Sequence, residues 1–496
     1  MKDRDPRRID PHIVEPSIIG AASVAPRRDG NLIPDPRLEM LSGIADKFSV
    51  RPQEIVHYVK PDEELSGHAI GGSESLVLFV TPPNEEMRVR KIWSDALVSV
   101  KWDPDVKGVM APPLKKAQMQ IDYLNGLPDE AKPYFPEILD QSERTFEKQT
   151  PDGETVTMRE ITADQSYIEG EEVSTFVQDN QPQPETVAHI HREILRCLRE
   201  KIHPHRETEP TEPTVEVSYL NKIADRLEIS RETAPNTFTP LTTSDYIWID
   251  GERYRNIPQL LDAFRDPDVL DVLEPRSHSL VMGDTNTENV KITKPEALIT
   301  AMDEGNLDFT YDDLGIKFLD PRAIGFNSTG GEVVDDPMYD NKPVHNSLGN
   351  YDVIHGEHFT IDSMTTDEGE PHIKLPHDEE HPFKEPYRNM EQHFPYIMEG
   401  MGIDDPEFQQ RDPNWLIRFA FVMGTHFAAM PPFHFKKDYD GTVPDDCQPQ
   451  KRAIAVYCEG IKWLNIAHDM LSGDRKELFG IPVPAVPKTV FDRSDL

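Results

Sequence analysis

Apolar and polar positions change rhythm several times along the chain. Residues 1 to about 37 are rich in Pro, Arg and Asp, show no apolar period, and predict an extended arm. Behind Pro36, the positions Leu38, Leu41, Ile44 and Phe48 recur at helical spacing and predict one small helix. From Gly67 to Trp93 the runs HAIGGSESLVLFV and EEMRVRKIW, separated by TPPNE, predict a hairpin. The segment LKKAQMQIDYLNGL at 114–127 predicts a helix stopped by Gly126 and Pro128. YFPEILDQ and TVTMREI predict two strands, and SYIEGEE a turn, so residues 67–170 read as strand, strand, helix, strand, strand.

Beyond Gly170 the period becomes mainly 3.6. Val187, Ile190, Ile194 and Leu198 mark a helix opened by Pro184, and SYLNKIADRLEI, IPQLLDAF, WLIRFAFVMGTHFAAM and RAIAVYCEGIKWLNIAHDML predict further helices. A Pro- and Glu-bearing loop lies at about 204–215, and the acidic, His-bearing stretch 362–386 reads as an exposed insert. There is no internal repeat. A small mixed unit followed by a larger helical one predicts an α+β fold of two lobes with a ligand cleft between them. The division expected is an arm with a short helix at 1–64, a strand-rich unit at 65–170, a helical unit at 171–475 and a tail at 476–496.

Composition narrows the partners. The 496 residues carry 52 basic and 90 acidic side chains, a net charge of −38, which repels phosphate backbones and anionic lipid. Neither nucleic acid nor a membrane surface is therefore an expected partner. No run approaches the ~18 apolar residues of a membrane span, and the first dozen residues lack the apolar core of a signal peptide. Cys197, Cys447 and Cys458 do not make a disulfide framework, so a cytoplasmic location with reduced thiols is expected. Hydrophobic residues make up 37% of the chain, enough for a core despite 45 prolines.

The most informative segment is SLVMGDTNTENVKI, residues 279–292. An apolar strand delivers Gly283 and Asp284, a polar loop ends at Asn289, and a second short strand follows. About thirty residues later IKFLDPRAIG repeats the theme and delivers Asp320 and Arg322. Two carboxylates and one amide at strand ends suit phosphoryl transfer. Magnesium takes oxygen ligands, one or two of them carboxylates, and a further carboxylate must orient the attacking hydroxyl. Asp284 suits the base role; Asn289 and Asp320 suit the metal role.

These residues resemble the catalytic loop of the aminoglycoside phosphotransferase and choline kinase branch of the protein-kinase-like fold. Gly283, Asp284 and Asn289 match its His-Gly-Asp and downstream Asn, with Met282 where the His usually stands. Asp320-Pro321-Arg322 resembles the metal-binding Asp-Pro-Arg variant of sugar-directed members. Gly71, Gly72 and Ser73 resemble the turn that covers the phosphates, Lys91 the strand lysine that holds them, and Tyr167, Ile168 and Glu169 the hinge that meets adenine. The helix that usually supplies a Glu to that lysine offers Gln120, with Asp122 as the fallback. Asp340 resembles the acid that braces the catalytic loop. YLNKIADRL, WIDGERYRNIPQLLDAF, DDPMYDNKPVHNSLGNYDVIHGEHF and THFAAMPPFHF resemble, in order, segments of phosphotransferases of capsular-polysaccharide pathways. The resemblance covers about residues 65–470.

It implies a two-lobed protein-kinase-like fold, ATP and Mg2+ as cofactors, and a small-molecule hydroxyl acceptor that is sugar-like. His345, Asn346, Ser347, Asn350, Asp352 and His426 are the groups expected to meet a neutral or anionic sugar. Three alternatives stay open: a nucleotide-binding pseudokinase or scaffold, which Met282 and Gln120 favour; an aminoglycoside-type kinase; and nucleotidyl transfer on the same fold. The histidines at 355, 358, 372, 377 and 381 match no zinc signature and read as solvated or packing groups.

Overall fold

A computed structural model describes residues 35–47, 50–69, 75–97, 113–149, 153–322, 334–365, 369–435 and 450–486. The arm at 1–34 and the glycine turn at Gly71–Ser73 lie outside the described residues. The fold is mixed α+β with a small antiparallel sheet.

That sheet is built from β1 (Glu64–Ala69), β2 (Leu76–Thr81), β3 (Arg88–Ser94), β4 (Ile138–Gln149) and β5 (Thr155–Ser166). Its order is β1-β2-β3-β5-β4, antiparallel throughout. The run expected as one strand from His68 to Val80 is two, because β1 and β2 pair with Ala69 opposite Val77. Alternation sorts the side chains onto two faces. Leu76, Leu78, Val80 and Ile92 point one way; Lys91 and Trp93 point the other.

The first face is covered by α1 (Pro36–Met40), α2 (Ser42–Lys47) and α3 (Pro52–Ile55); Ile44 and Ile55 on these helices, Leu41 between the first two and Val56 just after the third are buried against it. One small helix was expected there; three short ones form, each at a Pro- or Ser-led start, and they belong to the sheet's own core rather than to an arm. The same face holds a buried ion network. Arg90 donates to Asp164 at 2.7 and 2.8 Å and to Glu63 at 2.6 and 2.9 Å, and its planar fork accounts for both bidentate pairs. The opposite face receives α4 (Pro113–Asn125), whose Leu114, Ala117 and Ile121 pack on Trp93, Ile161 and Ala163.

The chain leaves β5 through residues 167–170 and re-enters order as β6 (Glu171–Glu172), α5 (Val173–Asn180) and α6 (Pro184–Cys197). Gly170 sits at φ 130°, and a Cβ there would stand 2.4 Å from the Ile292 carbonyl oxygen. Only glycine fits this close approach. The helical part centres on Trp415–Ala428 against Lys451–Leu471, where Gly424 and Gly460 let the two helices close on Leu464 and Ala428. No helix among the described residues is long and apolar enough to cross a membrane.

The stretch 362–386 differs from expectation. Asp362–Thr365 and Pro371–Lys374 form a hairpin that continues a four-stranded sheet with Tyr246–Ile249 and Glu252–Arg255. Ile373, Leu375 and Phe383 are buried, and His372 stacks on Trp248 at 5.1 Å. Few apolar residues suffice here because sheet pairing and one aromatic stack anchor the segment. The tail also begins in order: Glu477–Leu478 pairs with Ile481–Pro482 and buries Leu478.

Candidate functional site

The loop that bears Asp284 starts from the two-residue strand Ser279–Leu280 and passes through buried Val281 and Met282. Gly283 turns the chain at φ 84°, a region that side-chain-bearing residues rarely occupy. The turn is clamped from behind. Asp340 accepts from the Met282 backbone N–H at 2.8 Å and from the Gly283 N–H at 2.7 Å, and its carbonyl accepts from Thr285 Oγ1 at 2.7 Å. His203 Nε2 lies 3.0 Å from the same carboxylate, which is fully buried. Met282, at the position expected for a His, fills the apolar core, and its carbonyl accepts from the Arg322 N–H at 2.9 Å. Met282 thus contributes packing where the resemblance implies a polar side chain, while the backbone ties the two acid-bearing loops together.

Asp284 is 3% exposed and has three polar neighbours. Its Oδ1 accepts from Lys342 Nζ at 2.7 Å and from Asn286 Nδ2 at 3.0 Å. Its Oδ2 lies 2.9 Å from Arg322 Nε. Burial pushes its pKa upward, but the charges of Arg322 and Lys342 outweigh burial and hold it below the ordinary carboxylate range. Asn289 follows on the one-turn helix Thr287–Asn289 and donates through Nδ2 to the Asp284 carbonyl at 3.1 Å. That bond uses the amide's donor end and leaves the oxygen as its acceptor end.

Asp320 arrives on a parallel course. The strands Val290–Ile292 and Ile316–Phe318 pair antiparallel, and the Leu319 N–H donates to the Asn289 carbonyl at 2.7 Å. Asp320 adopts φ 51°, a left-handed conformation that Asp tolerates better than most residues but which still carries strain. Its Oδ1 accepts from Lys91 Nζ at 2.8 Å and from Gln120 Nε2 at 2.6 Å. Burial raises its pKa and the Lys91 charge opposes it; the net shift is downward.

Lys91, on β3, and Gln120, on α4, therefore meet Asp320 across 229 and 200 residues of sequence. Gln120 Oε1 accepts from Lys91 Nζ at 3.2 Å, and its Nε2 donates to Asp320 and, at 3.1 Å, to the Pro321 carbonyl. This donor–acceptor pattern admits only one amide orientation. It also explains an amide where a Glu was expected: a carboxylate at this position would face the Asp320 carboxylate at hydrogen-bond distance. Asp122, the fallback partner, is exposed and accepts from Gln118 instead.

The segment expected to form the hinge, residues 167–169, is fastened to this assembly. Lys291, two residues past Asn289, donates to the Ile168 carbonyl at 3.0 Å and the Gly170 carbonyl at 3.2 Å. Tyr167 is half exposed, with its ring edge-on to Phe79 of β2 at 5.9 Å.

The groups expected on the acceptor side are placed differently. Asn346 accepts from the Thr287 N–H at 3.2 Å and donates to Asp352, which Tyr387 also bonds. His345 and His426 pack against each other, ring centres 4.6 Å apart and planes inclined at 59°, and both are buried. Ser347 is buried as well, and Asn350 caps a turn at φ 55°. These residues shape the floor beneath the loop. Burial drives the imidazoles of His345 and His426 well below their ordinary pKa. Both are therefore expected to stay neutral, with unchanged ring NMR shifts, between pH 8 and pH 5; an inflection near pH 6.5 would show that the pair is solvated.

Sequence reasoning missed Lys342, Lys222, Arg226 and Lys291. The available signal was the pair Lys222 and Arg226, four apart in YLNKIADRL and so on one helical face, and Lys342 just after Asp340. Among the described residues, no group of three or more His, Cys, Asp or Glu is arranged to hold a metal. No protein-family model matches the chain, and no curated protein matches it either.

Proposed function

We propose that this chain is an ATP- and magnesium-dependent phosphotransferase of two-lobed, protein-kinase-like architecture, related to the aminoglycoside phosphotransferase and choline kinase branch. Its acceptor is the hydroxyl of a small, sugar-like molecule. The observation that carries the reading is the meeting of Lys91 and Gln120, from the sheet and its helix, with Asp320, beside the loop that presents Asp284 and Asn289.

The residues fit the cofactor by their donor chemistry. A lysine suits phosphate oxygens, and an Asp carboxylate with an Asn amide oxygen suits a hard cation that keeps phosphate and water as its other ligands. Magnesium-bound ATP would supply an activated phosphoryl group. Lys91 would leave Asp320 for the phosphates, with Gln120 keeping its ammonium in place. The Ile168 carbonyl is already bonded to Lys291, which leaves the backbone of Tyr167 and Glu169 for the adenine edge.

Asp284 aligns the acceptor hydroxyl and receives its proton at Oδ2. A carboxylate of depressed pKa suits this task in phosphoryl transfer, where the loose transition state needs alignment more than strong basicity. Lys342 on Oδ1 and the Asp340 clamp fix the direction of the carboxylate. The Lys91–Asp320 ion pair also favours a second reading, a nucleotide-binding module with little turnover, since it joins the phosphate-holding and metal-holding groups directly.

ADP release from Mg-ATP across a panel of sugars, sugar acids and sugar phosphates tests the proposal, with mass analysis of the product. A gain of one phosphate supports it, and a gain of a nucleotide points to nucleotidyl transfer. Nucleotide binding without any transfer selects the second reading, and absence of nucleotide binding overturns both.

A further inference from the structure

Positive charge crowds around Asp284 and the Tyr339 ring. Helix α7 (Asn221–Thr233) projects Lys222 and Arg226 from one face, four residues apart. Lys222 Nζ donates to the Tyr339 hydroxyl at 2.6 Å and lies 4.7 Å from the centre of the same ring. Lys342 Nζ lies 5.3 Å from that ring and bonds Asp284. Arg226 donates to the Ala429 carbonyl at 2.9 Å and stacks over Phe433 at 4.8 Å. Arg322 completes the group. Its side chain is 56% exposed and reaches back to Asp284.

The acids do not balance these cations. Asp284 is shared by Lys342 and Arg322. Among the described residues, neither Lys222 nor Arg226 has a carboxylate within ion-pair distance, though both are largely withdrawn from water. Asp225 and Asp335 act on them only at longer range. Burying a cation without a counter-ion is costly, and two adjacent ones repel each other. In a chain of net charge −38, where acids are plentiful, two such cations near Asp284 mark a place for an anion that the described residues do not supply.

We propose that the acceptor is an anionic hydroxyl compound, with a phosphate or carboxylate group held by Lys222 and Arg226 and met by Arg322. The inference rests on the phosphotransferase reading and sharpens it to a substrate class. It also gives Arg322 a task. In the free protein this guanidinium lies against Asp284 Oδ2, the atom an acceptor hydroxyl must reach. An anionic group seated beside Lys222 and Arg226 offers Arg322 a second partner and draws it off that oxygen. A neutral sugar offers no such exchange. Charge-assisted contacts of this kind also discriminate strongly, because an analogue lacking the anion leaves the cations unpaired.

The test uses matched acceptors, namely a hexose, its 6-phosphate and its uronic acid, with wild type, Lys222→Gln and Arg226→Gln. Phosphorylation of the anionic members, with KM raised about 10–100-fold in either variant and kcat within a few-fold, is the expected result. Phosphorylation of the neutral hexose alone, or anionic turnover untouched by both variants, overturns the proposal while leaving the phosphotransferase reading intact. A second arm does not depend on catalysis. Inorganic phosphate, titrated without nucleotide, should raise the melting temperature of the wild type and fail to do so in Arg226→Gln. If phosphate acts equally on both folded proteins, or on neither, there is no anion site here, whatever the chain does with ATP.

Discussion

Asp284→Asn should lower turnover by about 10²–10⁴-fold, the range for losing a positioned proton acceptor, while nucleotide still binds. Asn has the shape of Asp and keeps an oxygen for Lys342, so the loop clamped by Asp340 has no steric reason to move. What disappears is the charge that both Lys342 and Arg322 face. Arg322 is mostly exposed and can turn to water; Lys342 is 13% exposed and cannot do so as easily. The variant should therefore melt below wild type but remain folded. Single-turnover phosphate transfer at saturating acceptor, beside a nucleotide titration, separates the two effects. Near-normal turnover would remove Asp284 from the reaction.

For Asp320→Ala, the expected result is loss of the magnesium-dependent tightening of ATP. Without this carboxylate the cation keeps only the Asn289 amide among the protein groups assigned to it, too few anionic oxygens to stay between the phosphates. The structure adds a second expectation. Asp320 is the carboxylate on Lys91, so its removal frees the ammonium for phosphate, and metal-free ATP affinity should hold or rise. Asp320→Asn is the companion variant, because Asn tolerates φ 51° at least as well as Asp and adds no backbone strain. Titrations with and without magnesium read both. Magnesium that still tightens ATP in both variants would show that Asp320 is not a ligand.

Local pattern was a good guide wherever one residue type did one job. The helix at 114–127, the strands after YFPEILDQ and TVTMREI, and the helical run after Pro184 follow from periodicity bounded by Pro and Gly, and each forms close to where the pattern places it. The strand ends that deliver Asp284 and Asp320 were legible for the same reason. Pattern failed where apolar content was low but partners came from afar. The hairpin within 362–386 is held by strands more than a hundred residues earlier, and the three short helices before β1 are held by the outer face of the sheet.

By itself, then, the sequence determined the mixed α+β class, the strand-then-helix order and the placing of Asp284, Asn289 and Asp320 at the ends of short strands. Those are properties of side-chain chemistry and local spacing. Tertiary structure alone decided the pairings. It set Lys91 and Gln120 on Asp320, turned Arg322 onto Asp284, sank His345 and His426 into the core, and gathered Lys222 and Arg226 with no carboxylate in ion-pair distance among the described residues. Each of these depends on which segments pack together over long sequence separations. Burial and charge, which tune Asp284 and Asp320, exist only once that packing is complete.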